Sequence, residues 1–99
     1  MPKHTVSRPA QAELRGIVRY THDRWGAGQA VRFIQSLQAC FQTLAQSPGM
    51  GRACYEVSPG LHRHEHGKHV VYYLLNPGGI RVVRVLHQQM LPIKPHFEK

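Results

Sequence analysis

The feature that most constrains this chain is a change of hydrophobic period at Ser47-Pro48-Gly49. Before it, apolar residues recur at steps of three and four, the spacing of one helix face; after it they alternate or run together, as in strands. Leu14, Ile17, Val18, Thr21 and Trp25 make a first stripe. It follows Ser7-Arg8-Pro9, where serine can cap free N–H groups and proline is tolerated in the first turn. A second stripe, Ala30, Ile34, Leu37, Phe41, Leu44 and Ala45, has Phe33 and Cys40 beside it. Gly26 and Gly28 separate the stripes, and so short a link predicts an antiparallel helical hairpin.

Beyond Pro48, Leu61–His66 alternates, Gly67-Lys68 suits a tight turn, and Val70–Leu75 is a run of β-branched, aromatic and aliphatic residues. Asn76-Pro77-Gly78-Gly79 is a turn signal leading into a third strand, Ile80–Leu86. At the other end, His4–Ser7 is short and β-prone and predicts an edge strand, while Pro92–Lys99 reads as irregular. The expected fold is α+β and one domain over residues 1–99: an N-terminal strand, the helical hairpin, then a three-stranded antiparallel meander. The hairpin packs on one face of the sheet and leaves the other exposed.

Charge narrows the partners. Thirteen Lys and Arg stand against five Asp and Glu, and eight histidines add more positive charge in mild acid. Such a surface favours an acidic partner, either a protein or a nucleic acid. A direct nucleic-acid module has charge alone in its favour, because neither a recognition helix nor a set of stacking aromatics is recognisable. Cys40 and Cys54 fit a reducing compartment better than a disulfide framework; Cys40 reads as inert and Cys54 as a loop residue. No apolar core of a signal peptide follows Met1, and no apolar run spans a bilayer, so a soluble cytoplasmic protein without membrane contact is expected.

Particular residues go further. Tyr20-Thr21, Trp25-Gly26 and Gln29-Ala30 resemble the helix-to-helix corner of ParE-like toxins, in the ParE/RelE superfamily of type II toxin–antitoxin systems. Leu44-Ala45, Pro48, Gly51-Arg52 and Glu56 resemble that family's exit from the second helix. Pro59-Gly60-Leu61, Arg63, Gly67, His69-Val70-Val71 and Tyr72-Tyr73 resemble its first hairpin, and Arg84-Val85-Leu86-His87, Met90 and His96 its last strand and tail. One departure is Leu91, where the family often carries an acid after the methionine. The resemblance implies a toxin that inhibits DNA gyrase by binding, neutralised by a cognate acidic ParD-like antitoxin, with operator DNA contacted only through the antitoxin. It implies no catalytic residue, metal or cofactor. Target contacts are expected at Arg81, Arg84, His87, Met90 and His96, and antitoxin contacts at Trp25, Arg63 and Tyr73.

The alternative is a RelE-like ribosome-dependent mRNA endoribonuclease, which needs a base, an acid and cations around the scissile phosphate. Here the position matching that group's arginine holds His69, and the tail after Leu86 has no tyrosine, leaving His87, Lys94 and His96 as substitutes. His62, His64 and His66 alternate and so share one face of a strand. Successive same-side residues lie about 7 Å apart, poor geometry for one tetrahedral metal ion, and a polar solvent face is the better reading. Arg63 and Glu65 can pair on the opposite face. Arg84 shares a side with Ile80, Val82 and Leu86, and either snorkels to contact a carboxylate, or receives an acidic group of the antitoxin or contacts gyrase. Trp25 reads as a core anchor as well as a candidate contact, and of Tyr72 and Tyr73 one is expected inside and the other available.

Overall fold

The computed structural model describes residues 3–88. The elements are β1 (Lys3–Val6), α1 (Arg8–Trp25), α2 (Ala27–Gln46), a short 3-10 turn (Pro48–Met50), β2 (Arg52–Ala53), β3 (Leu61–His66), β4 (His69–Asn76) and β5 (Gly79–His87). The strands form one five-stranded sheet in the order β1-β5-β4-β3-β2. β1 runs parallel to β5, with Lys3 opposite Gly79 and Val6 opposite Val82; the other pairs are antiparallel. The strand, helical hairpin and meander anticipated from the sequence are all present. β2 is additional. It has two residues, too few to alternate, and is held by pairing with Arg63 and His62 and by the 2.8 Å Arg52–Glu65 ion pair.

Ser7 joins the layers. Its Oγ accepts from the Ala10 N–H at 3.2 Å, capping α1, and donates to the Val83 carbonyl at 2.8 Å, while its own N–H bonds the Val82 carbonyl. The corner between the helices is Gly26 alone, at φ 91°, where its N–H closes on the His22 carbonyl. Gly28, expected in the link, lies inside the first turn of α2.

The pairing of β4 with β5 slips between Tyr72 and Tyr73: Tyr73 faces Val82, Tyr72 faces Arg84, and Val83 is the extra residue of a β-bulge. The bulge resets the alternation. Ile80, Val82 and Val85 share the helix-side core with Leu37, Phe41, Leu44, Val71 and Tyr73, whereas Val83 turns to the other face with Cys54, Leu61, Val70 and Tyr72. Strict alternation, which put Ile80, Val82, Arg84 and Leu86 on one side, therefore fails at residue 83. The second cluster also corrects the expectation of a bare sheet face. The segment from Cys54 to Gly60 folds over it through the Val57 N–H to Cys54 carbonyl and Leu61 N–H to Ser58 carbonyl bonds. Cys54 is consequently buried, and burial pushes its thiol pKa up, as it does for Cys40.

Both tyrosines of β4 are internal, contrary to the expectation that one would be available. Tyr73 is 0% exposed; its hydroxyl donates to the Pro48 carbonyl at 2.6 Å and accepts from the Gly51 N–H at 3.0 Å, pinning the exit of α2 to the sheet. Tyr73→Phe is expected to cost about 1–2 kcal/mol, seen as a lower urea midpoint, because two backbone groups lose their partner while the ring still fills its site.

Candidate functional site

Two grooves flank α1, and the helix divides its residues between them. On one side Leu14 and Val18 face Ile34, Leu37 and Phe41 of α2 across an apolar trough of about 660 Å³, closed at one end by His4 and Val6 of β1. Arg15, Arg19 and His22, at four- and three-residue steps along α1, form its rim. Leu14, Val18 and Ile34 remain partly exposed.

On the other side, Glu13, Ile17, Tyr20 and Trp25 face the end of the sheet across a groove of about 1100 Å³, whose far wall is His66, Lys68, His69, Arg84 and His87. Trp25 is 65% and Tyr20 61% exposed. The core-anchor reading of Trp25 thus gives way to a surface one: the glycine corner comes immediately after it, so the chain turns before the ring can reach the sheet. The Arg24 guanidinium lies 5.7 Å from its ring centroid. Arg84 is held by its own chain. Nε and Nη2 donate to one oxygen of Glu13 at 2.9 and 2.8 Å, and the other oxygen accepts the Val85 N–H at 3.0 Å. Beside it the His69 ring packs edge-on to His87 at 5.2 Å and against Phe33 at 5.2 Å, and His66 Nε2 lies 3.1 Å from Ser36 Oγ on α2.

His62, His64 and His66 do share a face, but it is the helix side and not open solvent: His62 stacks on the buried Tyr73 ring at 5.5 Å and His66 reaches α2. Among the described residues no group of three or more His, Cys, Asp or Glu is placed to hold a metal ion. Burial, followed by the charge of His64, holds the His66 imidazole below its ordinary value of 6.5; burial, then His87 and His66, does the same to His69. Folding therefore favours their neutral forms, and the unfolded chain binds protons first as pH falls. The stability these sites contribute is present above 6.5 and is lost as pH drops through the lowered folded values. Urea midpoints should fall between about pH 7.5 and pH 5.5, with a shallower slope in His66→Gln/His69→Gln; an equal slope would contradict this assignment.

Of the expected target contacts, Arg84 and His87 meet in this second groove. Arg81 is exposed opposite Thr5 and Leu74, away from it. Met90 and His96 lie outside the described residues. Of the expected antitoxin contacts, Trp25 stands at the mouth of the second groove, and Arg63 on the far face, 5.8 Å over the Tyr72 ring and 3.6 Å from Glu65 as anticipated. Tyr73 is buried. Sequence reasoning missed Glu13, Tyr20 and Lys68 as site residues, and placed Leu14, Val18 and Ile34 in the helix stripes without marking a groove. The available signal was the row Arg15, Arg19, His22 running beside an apolar stripe.

The family model of the "ParE toxin of type II toxin-antitoxin system, parDE" matches residues 5–92. The chain belongs to the ParE toxin family. Toxin ParE1 of Mycobacterium tuberculosis (strain H37Rv) is 42% identical over 89 residues, covering 89% of this chain and 91% of that toxin. Toxin ParE1 of Caulobacter vibrioides is 40% identical over 92 residues, covering 91% and 93%, and Toxin ParE of Escherichia coli 35% over 91 residues, covering 91% and 88%. A solved structure described as a chromosomal ParDE TA system from P. aeruginosa has the same fold, with TM-score 0.71 at 19% identity over 88% of this chain and 96% of the solved one. Among the described residues of this ParE family member no helix is long and apolar enough to cross a membrane.

Proposed function

We propose that this chain is a cytoplasmic toxin that inhibits DNA gyrase by binding, without chemistry of its own, and that a cognate ParD-like antitoxin holds it inactive. The observation that carries the antitoxin half is the apolar trough between α1 and α2 with its rim of Arg15, Arg19 and His22. An amphipathic acidic helix fits such a trough, its apolar face on Leu14, Val18 and Ile34 and its carboxylates toward the rim. Family membership supports gyrase as the target, and Arg81, Arg84, His87, Met90 and His96 are the proposed contacts. Trp25 and Arg63 remain proposed antitoxin contacts, and operator DNA is reached through the antitoxin.

One observation favours the endoribonuclease reading: Lys68 and three imidazoles share a groove. Cells expressing the chain separate the two. Intact mRNA with a double-strand-break response supports gyrase inhibition; cleaved mRNA without that response supports the nuclease. Co-expressed antitoxin should abolish either effect, and an Ile34→Glu toxin should escape that neutralisation.

A further inference from the structure

The second groove differs in kind from the apolar trough. Its acid among the lining residues, Glu13, already accepts from Arg84 and from the Val85 N–H. The remaining charged or titratable groups of the walls are basic: the exposed Lys68 ammonium and the imidazoles of His69, His87 and His66, the last of which also meets Ser36. At the mouth, Trp25 and Tyr20 are both more than half exposed and supply an apolar landing for a side chain. The wall thus matches carboxylates flanking an apolar anchor.

We propose that this groove is a second docking channel, which receives an extended acidic stretch of the same antitoxin chain that fills the apolar trough, and that docking there takes up protons on His66 and His69. The inference rests on the reading of the chain as an antitoxin-neutralised toxin. Phe33 lines both grooves, so a polypeptide leaving the trough passes directly into the channel. The chain's own tail is a poor occupant, because residues 89–99 carry Lys94, His96 and Lys99 against Glu98 and share the channel's sign. Single-stranded RNA fits less well, because inside the channel His69 stands edge-on to His87 and is covered by Phe33, so open rings are confined to Trp25 and Tyr20 at the mouth.

The titration follows from what surrounds the imidazoles. α1 presents Glu13, occupied by Arg84, and Tyr20; α2 presents Phe33, Gln29 and Ser36, which carry no charge; β3 adds His64, the turn Lys68 and β5 Arg84. Unliganded, burial and like charge keep His66 and His69 neutral. Carboxylates in the channel reverse the balance and favour imidazolium.

Full-length antitoxin titrated calorimetrically into the full chain, in buffers of different ionisation enthalpy, tests this. The expected result is uptake of about one proton or more per complex and binding about tenfold tighter near pH 6 than near pH 8. His66→Gln/His69→Gln/His87→Gln should abolish the uptake and flatten the pH dependence while retaining binding at pH 8, and Lys68→Ala should weaken binding at every pH. Ile34→Glu should weaken binding at every pH with the proton uptake unchanged. Tight binding without proton uptake, or uptake untouched by the triple variant, overturns the channel and leaves the trough standing. No binding by any toxin variant or the wild type overturns both. An oligouridine that binds wild type, competes with antitoxin and is lost with the triple variant makes the channel an RNA site and overturns the proposal.

Discussion

Gly79→Ala is expected to destabilise the fold by roughly 3 kcal/mol, the upper end of the range for overpacking, and to loosen β1 from the sheet. The reason is a backbone-to-backbone approach. A Cβ at residue 79 would overlap the Lys3 carbonyl oxygen and lie 2.8 Å from the Lys3 carbonyl carbon and 2.9 Å from its nitrogen. A flexible side chain could swing away; these atoms move only if β1 moves. Because His4 and Val6 close one end of the apolar trough, with the His4 ring 5.4 Å from Phe41, antitoxin affinity should fall along with stability. Gly28→Ala is the control: its Cβ would meet only the Arg32 guanidinium, at 3.5 Å, and alanine suits a helix better by about 0.5–1 kcal/mol. Urea denaturation and amide exchange of residues 3–6 measure both effects; a Gly79→Ala protein as stable as wild type would refute the close approach.

Glu13→Ala should cost about 2–3 kcal/mol. One carboxylate takes two bonds from Arg84 and one from the Val85 N–H, tying α1 to β5 where β1 no longer flanks the sheet. The side chains are 19% and 26% exposed, so water screens part of the attraction and the loss falls short of that for a fully enclosed pair. Glu13→Gln should recover part of it, because the amide oxygen still accepts from one donor. Arg84→Ala and the double variant complete a cycle, and a coupling near zero would show that the two side chains stabilise the fold independently.

These residues also show what the sequence could and could not reveal. The helices were legible because their stripes follow the helical period and a glycine corner ends the first. The meander was legible because Gly67 and Asn76-Pro77-Gly78-Gly79 punctuate β-prone runs. The bulge at Val83 was not, since a valine inserted among valines leaves no trace in composition, and it moved Val85 and Leu86 off the faces that strict alternation assigned. β2 was invisible because its pairing is decided by β3 and not by its own two residues. The site was harder still. Trp25 reads as core by its place in the stripe and becomes surface only because Gly26 turns the chain. The channel gathers side chains from both helices, β3, β4 and β5, whose meeting depends on strand order. That order, with β1 parallel to β5 at the edge, cannot be read from periodicity.

The most direct test is a supercoiling and cleavage assay with DNA gyrase, purified toxin and relaxed plasmid, with and without the antitoxin. Gyrase inhibition by binding predicts loss of supercoiling or accumulation of linear plasmid at micromolar toxin, restored by stoichiometric antitoxin. Unimpaired supercoiling and no cleaved plasmid, with toxin shown to be folded and to bind its antitoxin, would contradict gyrase as the target.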